Sequence, residues 1–349
     1  MKKTVLFLFV VLFAFAFVFN GPVVSSAFAL EKGVIKFAHS QQETDLFETH
    51  YKALTGVFGN LVEQGTQGRF TVESYPNGQL GDLRSMLEQC QRGMIQVTAA
   101  QSIGLLASYY PAAQVFEIPY ALKNPEIVKM VFNSSFGKDM VKDIAEKTGL
   151  RILALLPSGM RSFTNNVKEI RTPDDMKGLK IRVMQIPIHL KMVEALGASA
   201  TPIAWEELYT SLQTGVADGQ ENAPNTMLMA KLEEVQKFYT LDQHTANNVI
   251  FAINEKFFQS LSPRDQKVIE YAARQASEAF LGIVTAKESR DLEYLATKLK
   301  ITPLSPEEIG LFKEKAQPPV VEYLKGEIDP KVVDAFLKAV EEAEAVQGL

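Results

Sequence analysis

Apolar and polar residues along the first part of the chain predict strands and helices in alternation. The segment GVIKFAH reads as a short apolar strand, and Asp45 to Glu63 has helical periodicity. FTVESY alternates with period two, and a helix over Leu83 to Arg92 precedes an apolar strand over Ile95 to Ala99. The order strand, helix, strand, helix, strand is the signature of an α/β layer with a mainly parallel sheet.

A second α/β series follows the first. Two helices, about Pro125 to Asn133 and Phe136 to Thr148, precede the strand RILALL. From Ser158 the predicted elements are the strands SFTN and LKIRV, a helix over Pro187 to Leu196, the strand SATPI, a helix over Trp205 to Gln213, the segment ADGQEN and a helix from Asn225. The chain is therefore expected to build one α/β unit and then another.

The last third of the chain has a different pattern. NVIFAIN, at Asn248 to Asn254, predicts a strand that is too short to make a sheet alone, so we expect it to join an earlier one. A helix of about forty residues follows, with its start marked by Ser262 and by Asp265 in its first turn. These two elements predict domains that are connected by several crossings of the chain.

The first residues have the pattern of a secretory signal peptide. Lys2 and Lys3 precede an unbroken apolar run from Val5 to Phe19, and the run Ala27 to Ala29 offers small residues before a cleavage site. A membrane anchor is the rival interpretation, but this run is shorter than the roughly 20 residues that a spanning helix needs. We therefore predict a signal peptide over residues 1–29 and a soluble mature protein in the periplasm.

Composition, charge and cysteine content narrow the class of protein and its partners. The 349 residues are 46% hydrophobic and 22% charged, a globular composition with enough length for two domains. Cys90 is the only cysteine, so an internal disulfide is excluded, and its apolar helical register predicts burial. Removing Lys2 and Lys3 takes the net charge from -5 to -7, because -5 minus 2 is -7. Without basic runs, we expect no binding to nucleic acid or to an anionic bilayer, so the partner should be a small molecule or another protein. A monomer is the default expectation.

The sequence lacks the usual catalytic and cofactor signatures. It contains no G-x-S-x-G elbow, no H-E-x-x-H, no phosphate-binding P-loop and no G-x-G-x-x-G after a strand. Its four histidines are scattered, and with one cysteine they give no metal-binding spacing. We therefore predict no enzyme activity, no cofactor and no metal site.

Polar residues are concentrated at predicted strand ends in the second α/β unit. Arg161 follows a strand and a glycine, and Arg182 ends a strand. Trp205 opens a helix after TPIA, and Gln220, Glu221 and Asn222 follow GVADG. Ligands of α/β sheets bind at the carboxyl ends of strands, so two fixed cations, an aromatic face and an amide there suit an organic acid. Taken singly, each also has a plain structural explanation: an exposed loop arginine, a solvent-facing strand arginine, a core tryptophan or a helix cap.

The run from Gly178 to Asn222 resembles the central signature of the DctP family, the solute-binding proteins of tripartite ATP-independent periplasmic (TRAP) transporters. YPNGQLGDLRSMLEQCQRGMIQ, FEIPY and SGMRSFTN resemble other blocks of that family in the same order. The resemblance covers nearly the whole mature chain. It implies a protein that captures a small organic acid and hands it to the membrane subunits of a TRAP transporter.

The resemblance also implies the architecture. The expected fold is α/β in two lobes, like other periplasmic binding proteins, with each lobe a mainly parallel sheet flanked by helices. Crossing strands and a long helix that spans the lobes would join them. On this basis residues 30–157 and about 248–287 are assigned to lobe I, and residues 158–247 and about 288–349 to lobe II.

By similarity, four residues of the second unit have roles in ligand binding. Arg182 matches the arginine that forms a two-pronged salt bridge to the ligand carboxylate, and Arg161 matches a second arginine of the pocket. Trp205 matches an aromatic residue that walls the ligand, and Asn222 an amide near the carboxylate. A bidentate arginine fixes the orientation of a carboxylate as well as adding affinity, which lysine does not reproduce.

Two residues of the first lobe, Ser40 and Gln101, are weaker matches to ligand-binding positions. Gln101 and Leu83 stand where the sialic-acid-binding branch of the family has acidic residues, which argues against sialic acid. This pattern suggests a ligand with few hydroxyl or amino groups. A dicarboxylate, a hydroxy or keto acid and an aromatic acid all remain open.

Two other functions also remain open. A secreted lyase or hydrolase would clamp a carboxylate substrate with the same arginines and would use Glu221 or Glu206 as its base. A sensory or scaffolding protein would bind the same acid and signal to a receptor. The sequence does not separate this last role from transport.

Overall fold

The computed structural model describes residues 33–45 and 49–348. The predicted signal peptide, residues 1–29, lies outside them. None of the helices in the described residues combines the length and the apolar character that crossing a bilayer requires.

The described residues form strands and α-helices in the following order. The strands are β1 (Gly33–His39), β2 (Phe70–Tyr75), β3 (Val97–Gln101), β4 (Leu150–Asn165), β5 (Lys180–Val183), β6 (Ser199–Pro202), β7 (Gly219–Asn222), β8 (Phe238–Asn254) and β9 (Lys300–Pro303). The α-helices are α1 (His50–Gly65), α2 (Leu83–Gln91), α3 (Pro125–Asn133), α4 (Ser135–Thr148), α5 (Pro187–Ala195), α6 (Leu208–Gln213), α7 (Pro224–Met229), α8 (Glu255–Ser260), α9 (Pro263–Ala296), α10 (Pro306–Glu327) and α11 (Pro330–Gln347).

The described strands form one mixed sheet in the order β2-β1-β3-β8-β4-β7-β5-β6, with β9 paired to β8. β1 pairs in parallel with β2 and β3, and β5 pairs in parallel with β6 and β7. We call β1–β3 the first half of the sheet and β5–β7 the second half. The long strands β4 and β8 run antiparallel through both. The predicted α/β, two-lobed fold is confirmed, with the two lobes sharing a continuous sheet.

Strands β4 and β8 are longer than the sequence pattern predicts. RILALL and SFTN, expected as two strands, are parts of β4, and NVIFAIN is only the last part of β8. The two strands pair from Leu150↔Asn254 to Asn165↔Phe238, with register shifts at Ile152/Ala154, Pro157/Met160 and Arg161/Phe163. Such irregularities bend a strand without ending it, which is why the pattern breaks while the strand continues. These strands are the expected crossings.

The long helix α9 begins where the sequence places its start. The Asp265 backbone N–H donates to Ser262 Oγ at 3.1 Å, and Arg69 pairs with the Asp265 carboxylate through both terminal nitrogens. The helix has 34 residues rather than about forty, because the chain leaves it after Ala296 and turns into β9. It packs against α1 and also against α7, as expected for a helix that spans the lobes.

Buried apolar side chains fill both faces of the sheet. One cluster lies between β1, α1 and α9, and its aromatic members include Phe37, Phe58 and Phe251. A larger cluster joins α2, α3 and α5 to the C-terminal helices, where α10 packs against α5 and α11 against α3. Cys90 belongs to this larger cluster and is fully buried, as predicted. The residue boundaries between the lobes stay a prediction.

Candidate functional site

One cavity brings together five of the six predicted ligand-binding residues. It lies between the two halves of the sheet and contains an empty space of about 450 Å³, including the part open to solvent. The five residues that line it are Gln101, Arg161, Arg182, Trp205 and Asn222. The sixth, Ser40, follows the end of β1, does not line this cavity and accepts a long hydrogen bond from Gln41 Nε2 at 3.4 Å.

Strand ends place most of these side chains. Gln101 is the last residue of β3 and Asn222 the last of β7, whereas Arg182 lies one residue before the end of β5. Trp205 opens a short 3-10 turn (Trp205–Glu207) just after β6. Arg161 differs, since it lies inside β4 at one of the register shifts. Because β5, β6 and β7 run parallel, their carboxyl ends meet at one edge of the sheet.

Arg182 is buried but not paired to an acid of the protein. It is 2% exposed, and its Nε donates to the backbone carbonyl of Ile203 at 2.9 Å. In residues 33–45 and 49–348, no hydrogen bond or ion pair engages its two terminal nitrogens. Burial lowers the pKa of Arg182 to about 10, against the opposing charge of Glu221. The side chain therefore stays cationic at neutral pH and presents free donors to the cavity, which rules out the solvent-facing explanation.

Arg161 lines the same cavity, but the protein itself uses most of its donors. Its Nη1 donates to Asn247 Oδ1 at 2.8 Å, and its Nη2 donates to the Glu221 backbone carbonyl at 2.7 Å and to Glu221 Oε1 at 2.8 Å. Its Nε donates to Glu221 Oε2. A guanidinium has five N–H groups, so about one remains for a ligand. Of the two predicted arginines, only Arg182 has an open fork, meaning that both of its terminal nitrogens lack a partner among the described residues.

Glu221 is a permanently charged partner rather than a base. Burial raises the pKa of its carboxyl, but the charge of Arg161 and hydrogen bonds from His244 and Arg161 lower it well below the usual range. The nearest His244 nitrogen, Nε2, lies 3.3 Å from Glu221 Oε2, and His189 Nδ1 lies 3.8 Å from Oε1. A general base needs a pKa near the working pH, which this carboxylate does not have.

His244 connects Glu221 to a further buried acid. Its Nδ1 lies 2.8 Å from Asp242 Oδ2, and Asp242 also accepts hydrogen bonds from the Tyr120 hydroxyl at 3.0 Å and the Phe163 N–H at 3.1 Å. Burial lowers the pKa of His244, but Asp242 and Glu221 raise it more strongly, to about 9. His244 is therefore cationic at neutral pH. Sequence reasoning missed this cluster, because Tyr120 and Glu221 are distant in the chain from Asp242 and His244.

A contact between Glu117 and His189 joins the two halves of the sheet. Glu117 ends the 3-10 segment Pro111–Glu117 in the loops after β3, and His189 lies in α5 after β5. His189 Nε2 is 3.0 Å from Glu117 Oε2, and Ser102 Oγ donates to the other oxygen of that carboxylate. Both residues are buried. The pair therefore depends on the two halves being close together.

Gln101, Asn222 and Trp205 each have a side-chain group that is available to a ligand. No hydrogen bond within the described residues engages the Gln101 side chain. Asn222 Nδ2 donates to Gln220 Oε1 at 2.5 Å, which leaves its carbonyl oxygen available. Trp205 is half-buried and packs against the main apolar cluster beside the cavity. Together with Arg182, these groups can bind a carboxylate and the polar and apolar atoms next to it.

Three charged residues of the cavity wall were not predicted. Asp82 caps α2 by accepting a hydrogen bond from the Ser85 N–H at 2.7 Å. Arg84 Nη2 donates to the Gln185 backbone carbonyl at 3.1 Å, which again links the two halves of the sheet. Glu206 was considered only as a catalytic base, and it lines the cavity next to Trp205. Across the described residues, no cluster of three or more His, Cys, Asp or Glu side chains could hold a metal ion.

Comparison with known protein families gives one match over most of the chain. Residues 37–326 match the family described as bacterial extracellular solute-binding protein, family 7. A solute-binding protein from Roseobacter denitrificans is 33% identical over 274 residues, which is 78% of this chain and 82% of the relative.

Solved structures give the same result. The chain matches a sugar-acid-binding protein from Advenella mimigardefordensis in complex with galactonate, with a TM-score of 0.83 and 29% identity, over 90% of this chain and 99% of the other. It also matches a TRAP periplasmic solute-binding protein from Shewanella oneidensis with bound succinate, with a TM-score of 0.81 and 27% identity, over 88% and 99% of the two chains.

Proposed function

The chain belongs to the bacterial extracellular solute-binding protein family 7, and from this premise we propose that it captures an organic acid in the periplasm for a TRAP transporter. The ligand carboxylate forms a salt bridge with Arg182, and the loaded protein delivers the ligand to the membrane subunits of the transporter. The protein carries out no reaction on the ligand. Its predicted signal peptide, residues 1–29, directs it to the periplasm.

The open fork of Arg182 is the observation that carries this proposal. The guanidinium is held through Nε, at 2.9 Å from the Ile203 carbonyl, so its two terminal nitrogens keep a fixed direction. A carboxylate accepts two parallel charge-assisted hydrogen bonds from such a fork. A buried cation without a partner costs several kcal/mol, and an incoming anion removes that cost. The site is therefore built for a group that the protein itself does not supply.

The related structures support an organic acid as the ligand class. One relative binds galactonate and another binds succinate, and both ligands carry a carboxylate. The bound carboxylate contacts Arg182 and the Asn222 amide, Trp205 covers an apolar face of the ligand, and Gln101 contacts it from the first half of the sheet. Arg161 acts mainly by holding Glu221 and Asn247, with about one N–H directed to the ligand.

Ligand binding and closure are coupled in this proposal. Arg182 belongs to the second half of the sheet and Gln101 to the first, so one ligand touches both when the cleft is closed. Closing the cleft around an unpaired Arg182 is unfavourable, whereas closing it around a salt bridge is not. A ligand that binds the closed form better than the open form shifts the population towards it.

Calorimetry on Arg182 variants tests the proposal. The ligand is first identified by native mass spectrometry of protein purified without denaturation, or by a thermal-shift screen of organic acids. We expect Arg182→Lys to weaken binding at least 100-fold, because one ammonium does not replace a bidentate fork. Thermal unfolding of the unliganded variant should stay close to that of the wild type.

The matched control is Arg171→Lys, an exposed arginine that pairs with Glu169 and Glu308 at the surface. This variant should bind the ligand as the wild type does. Near-unchanged affinity in Arg182→Lys would overturn the salt-bridge mechanism. Recovery of a chemically altered ligand after incubation with the protein would overturn the absence of a reaction.

A further inference from the structure

Acidic side chains lie at the mouth of the cavity, whereas its interior is cationic. Arg182 is 2% exposed, but Asp82 and Glu206 are exposed residues that line the same cavity. A ligand that places its carboxylate on Arg182 therefore extends from a cationic interior towards two carboxylates. Ionised carboxylates only accept hydrogen bonds, so they favour a partner that donates.

The two acids come from opposite halves of the sheet and converge. Asp82 caps α2, which leads into β3 of the first half, and Glu206 follows β6 of the second half. Glu206 Oε1 reaches the turn before α2, where it lies 3.7 Å from the position that a β-carbon on Gly78 would occupy. Partial burial of its carboxyl raises the pKa of Glu206, and the charge of Asp82 raises it further. Both effects fit two carboxylates that approach each other across the mouth.

Neither Asp82 nor Glu206 forms an ion pair with a side chain in the described part of the chain. Burial and the charge of Asp82 raise the pKa of Glu206 more than the charge of Arg182 lowers it. Arg84 lines the same wall and donates through Nη2 to a backbone carbonyl, without an ion pair to either acid. Trp205 and Glu206 both line the cavity, so a ligand that packs on the indole lies in the same space that the Glu206 carboxyl faces.

We propose that Glu206, together with Asp82, selects a monocarboxylate that carries a hydrogen-bond donor, a hydroxyl or an ammonium group, at the end away from its carboxylate, and rejects dicarboxylates. This inference rests on the proposed function, because it assumes that the ligand carboxylate binds Arg182. A donor at the far end satisfies the Glu206 and Asp82 oxygens. A second carboxylate at that end adds a third negative charge to the mouth and is repelled.

Probes with the same carbon chain and different far ends test this selection. D-Gluconate and D-glucarate differ at C6, where a hydroxymethyl group is replaced by a carboxylate. 4-Hydroxybutyrate, 4-aminobutyrate and succinate form a second series with a hydroxyl, an ammonium group and a carboxylate at C4. Affinities are measured by calorimetry for the wild type, for Glu206→Gln and for Glu207→Gln. Glu207 is the matched control, because it is exposed, adjacent in sequence and not part of the cavity lining.

In the wild type, we expect the donor-bearing probe to bind at least tenfold more tightly than the dicarboxylate of the same length. Glu206→Gln should reduce this ratio to about threefold or less, mainly because the dicarboxylate binds better. Glu207→Gln should leave the ratio unchanged. The tighter binder of 4-hydroxybutyrate and 4-aminobutyrate shows whether the site prefers a hydroxyl or an ammonium donor.

Other results overturn the inference. A dicarboxylate that binds as tightly as its donor-bearing counterpart contradicts it, and so does a ratio that Glu206→Gln leaves unchanged. If a dicarboxylate is preferred and its binding is lost in Arg182→Lys, the proposed function holds and the inference fails. If none of the five probes binds while another carboxylate binds through Arg182, the inference fails in the same way. If no carboxylate binds at all, both fail.

Discussion

Buried carboxylates near the cavity are balanced by buried cations. Glu221 and Asp242 are fully buried carboxylates, and Arg161 and His244 are the cations that contact them. Removing one partner from such a buried pair costs about 3–5 kcal/mol, because it leaves an uncompensated charge. The fold therefore depends on the protonation of His244 as well as on Arg161.

The pH dependence of stability should reveal His244. Its pKa is about 9 in the folded protein, above the ordinary value of 6.5. Its contribution to stability is therefore fully present below pH 6.5 and is lost as the pH rises through 9. We expect His244→Asn to lower the free energy of unfolding at pH 6 by about 2–4 kcal/mol and to change it much less at pH 10.

Urea unfolding of the wild type and of His244→Asn between pH 6 and pH 10 measures this difference. The difference between the two proteins isolates His244 from other groups that titrate in the same range. A difference that stays constant across the range would show that folding does not raise the pKa of His244.

The sequence identifies the candidate residues but not their pairing. Arg161 and Arg182 look alike in the chain, since both are arginines at or near strand ends. Only the structure shows that Arg161 is held by Glu221, and that Arg182 has no acidic partner among the described residues. Ion pairs such as Arg161 with Glu221 join residues 60 positions apart, and no local pattern encodes them. Resemblance to a family predicted the site residues, and the geometry shows that the two arginines have different partners.

At the scale of single elements, the irregular part of β4 controls where Arg161 lies. Gly159 has a φ of +87° within the register shift between Pro157 and Met160, a conformation that glycine adopts without strain. A β-carbon at this position would lie 3.1 Å from Ala223 Cβ, tighter than ordinary contact. Gly68 also has a positive φ, +72°, but a β-carbon there would meet nothing within 4 Å.

These two glycines give a matched pair of alanine variants. Gly68→Ala should cost about 1–2 kcal/mol of stability, because a β-carbon disfavours the left-handed backbone conformation. Gly159→Ala should cost more, about 2–4 kcal/mol, because crowding against Ala223 adds to it. Only Gly159→Ala should also weaken ligand binding, since it displaces the strand that carries Arg161. Urea unfolding and calorimetry measure both effects, and equal losses in the two variants would contradict the crowding argument.

Local signals predicted most helix starts well and long strands poorly. The prediction was wrong for α1, which begins at His50 rather than at Asp45. The bounds of α3, Pro125–Asn133, are as predicted, because Asn124 caps the helix and Pro125 opens it. The first part of β8, Phe238 to Asn247, was missed, because buried polar residues such as Asp242 and His244 break its apolar pattern. Those residues are buried only because the cluster at the cavity pairs them. The strand was missed where charged residues are buried, because polar residues ordinarily predict exposure.

At the scale of the whole molecule, the halves of the sheet meet around the start of α5. Glu117 contacts His189, and Arg84 donates a hydrogen bond to the Gln185 carbonyl. Gln114 Oε1 accepts a hydrogen bond from the Ile188 N–H at 3.3 Å. These contacts join the first half to a single segment of the second half. We expect these contacts to hold the cleft closed, so that opening the cleft would break them together.

X-ray scattering with and without ligand should show this closure. A saturating ligand satisfies Arg182 and favours the closed arrangement, so we expect a smaller radius of gyration in its presence. Arg182→Lys should not become more compact at the same ligand concentration. Trp205 is the only tryptophan of the chain, so its fluorescence reports directly on the cavity and gives the ligand occupancy of each sample. An unchanged radius in a sample whose fluorescence shows full occupancy would mean that binding does not close the cleft, and forward scattering from the same data would show whether the protein is a monomer.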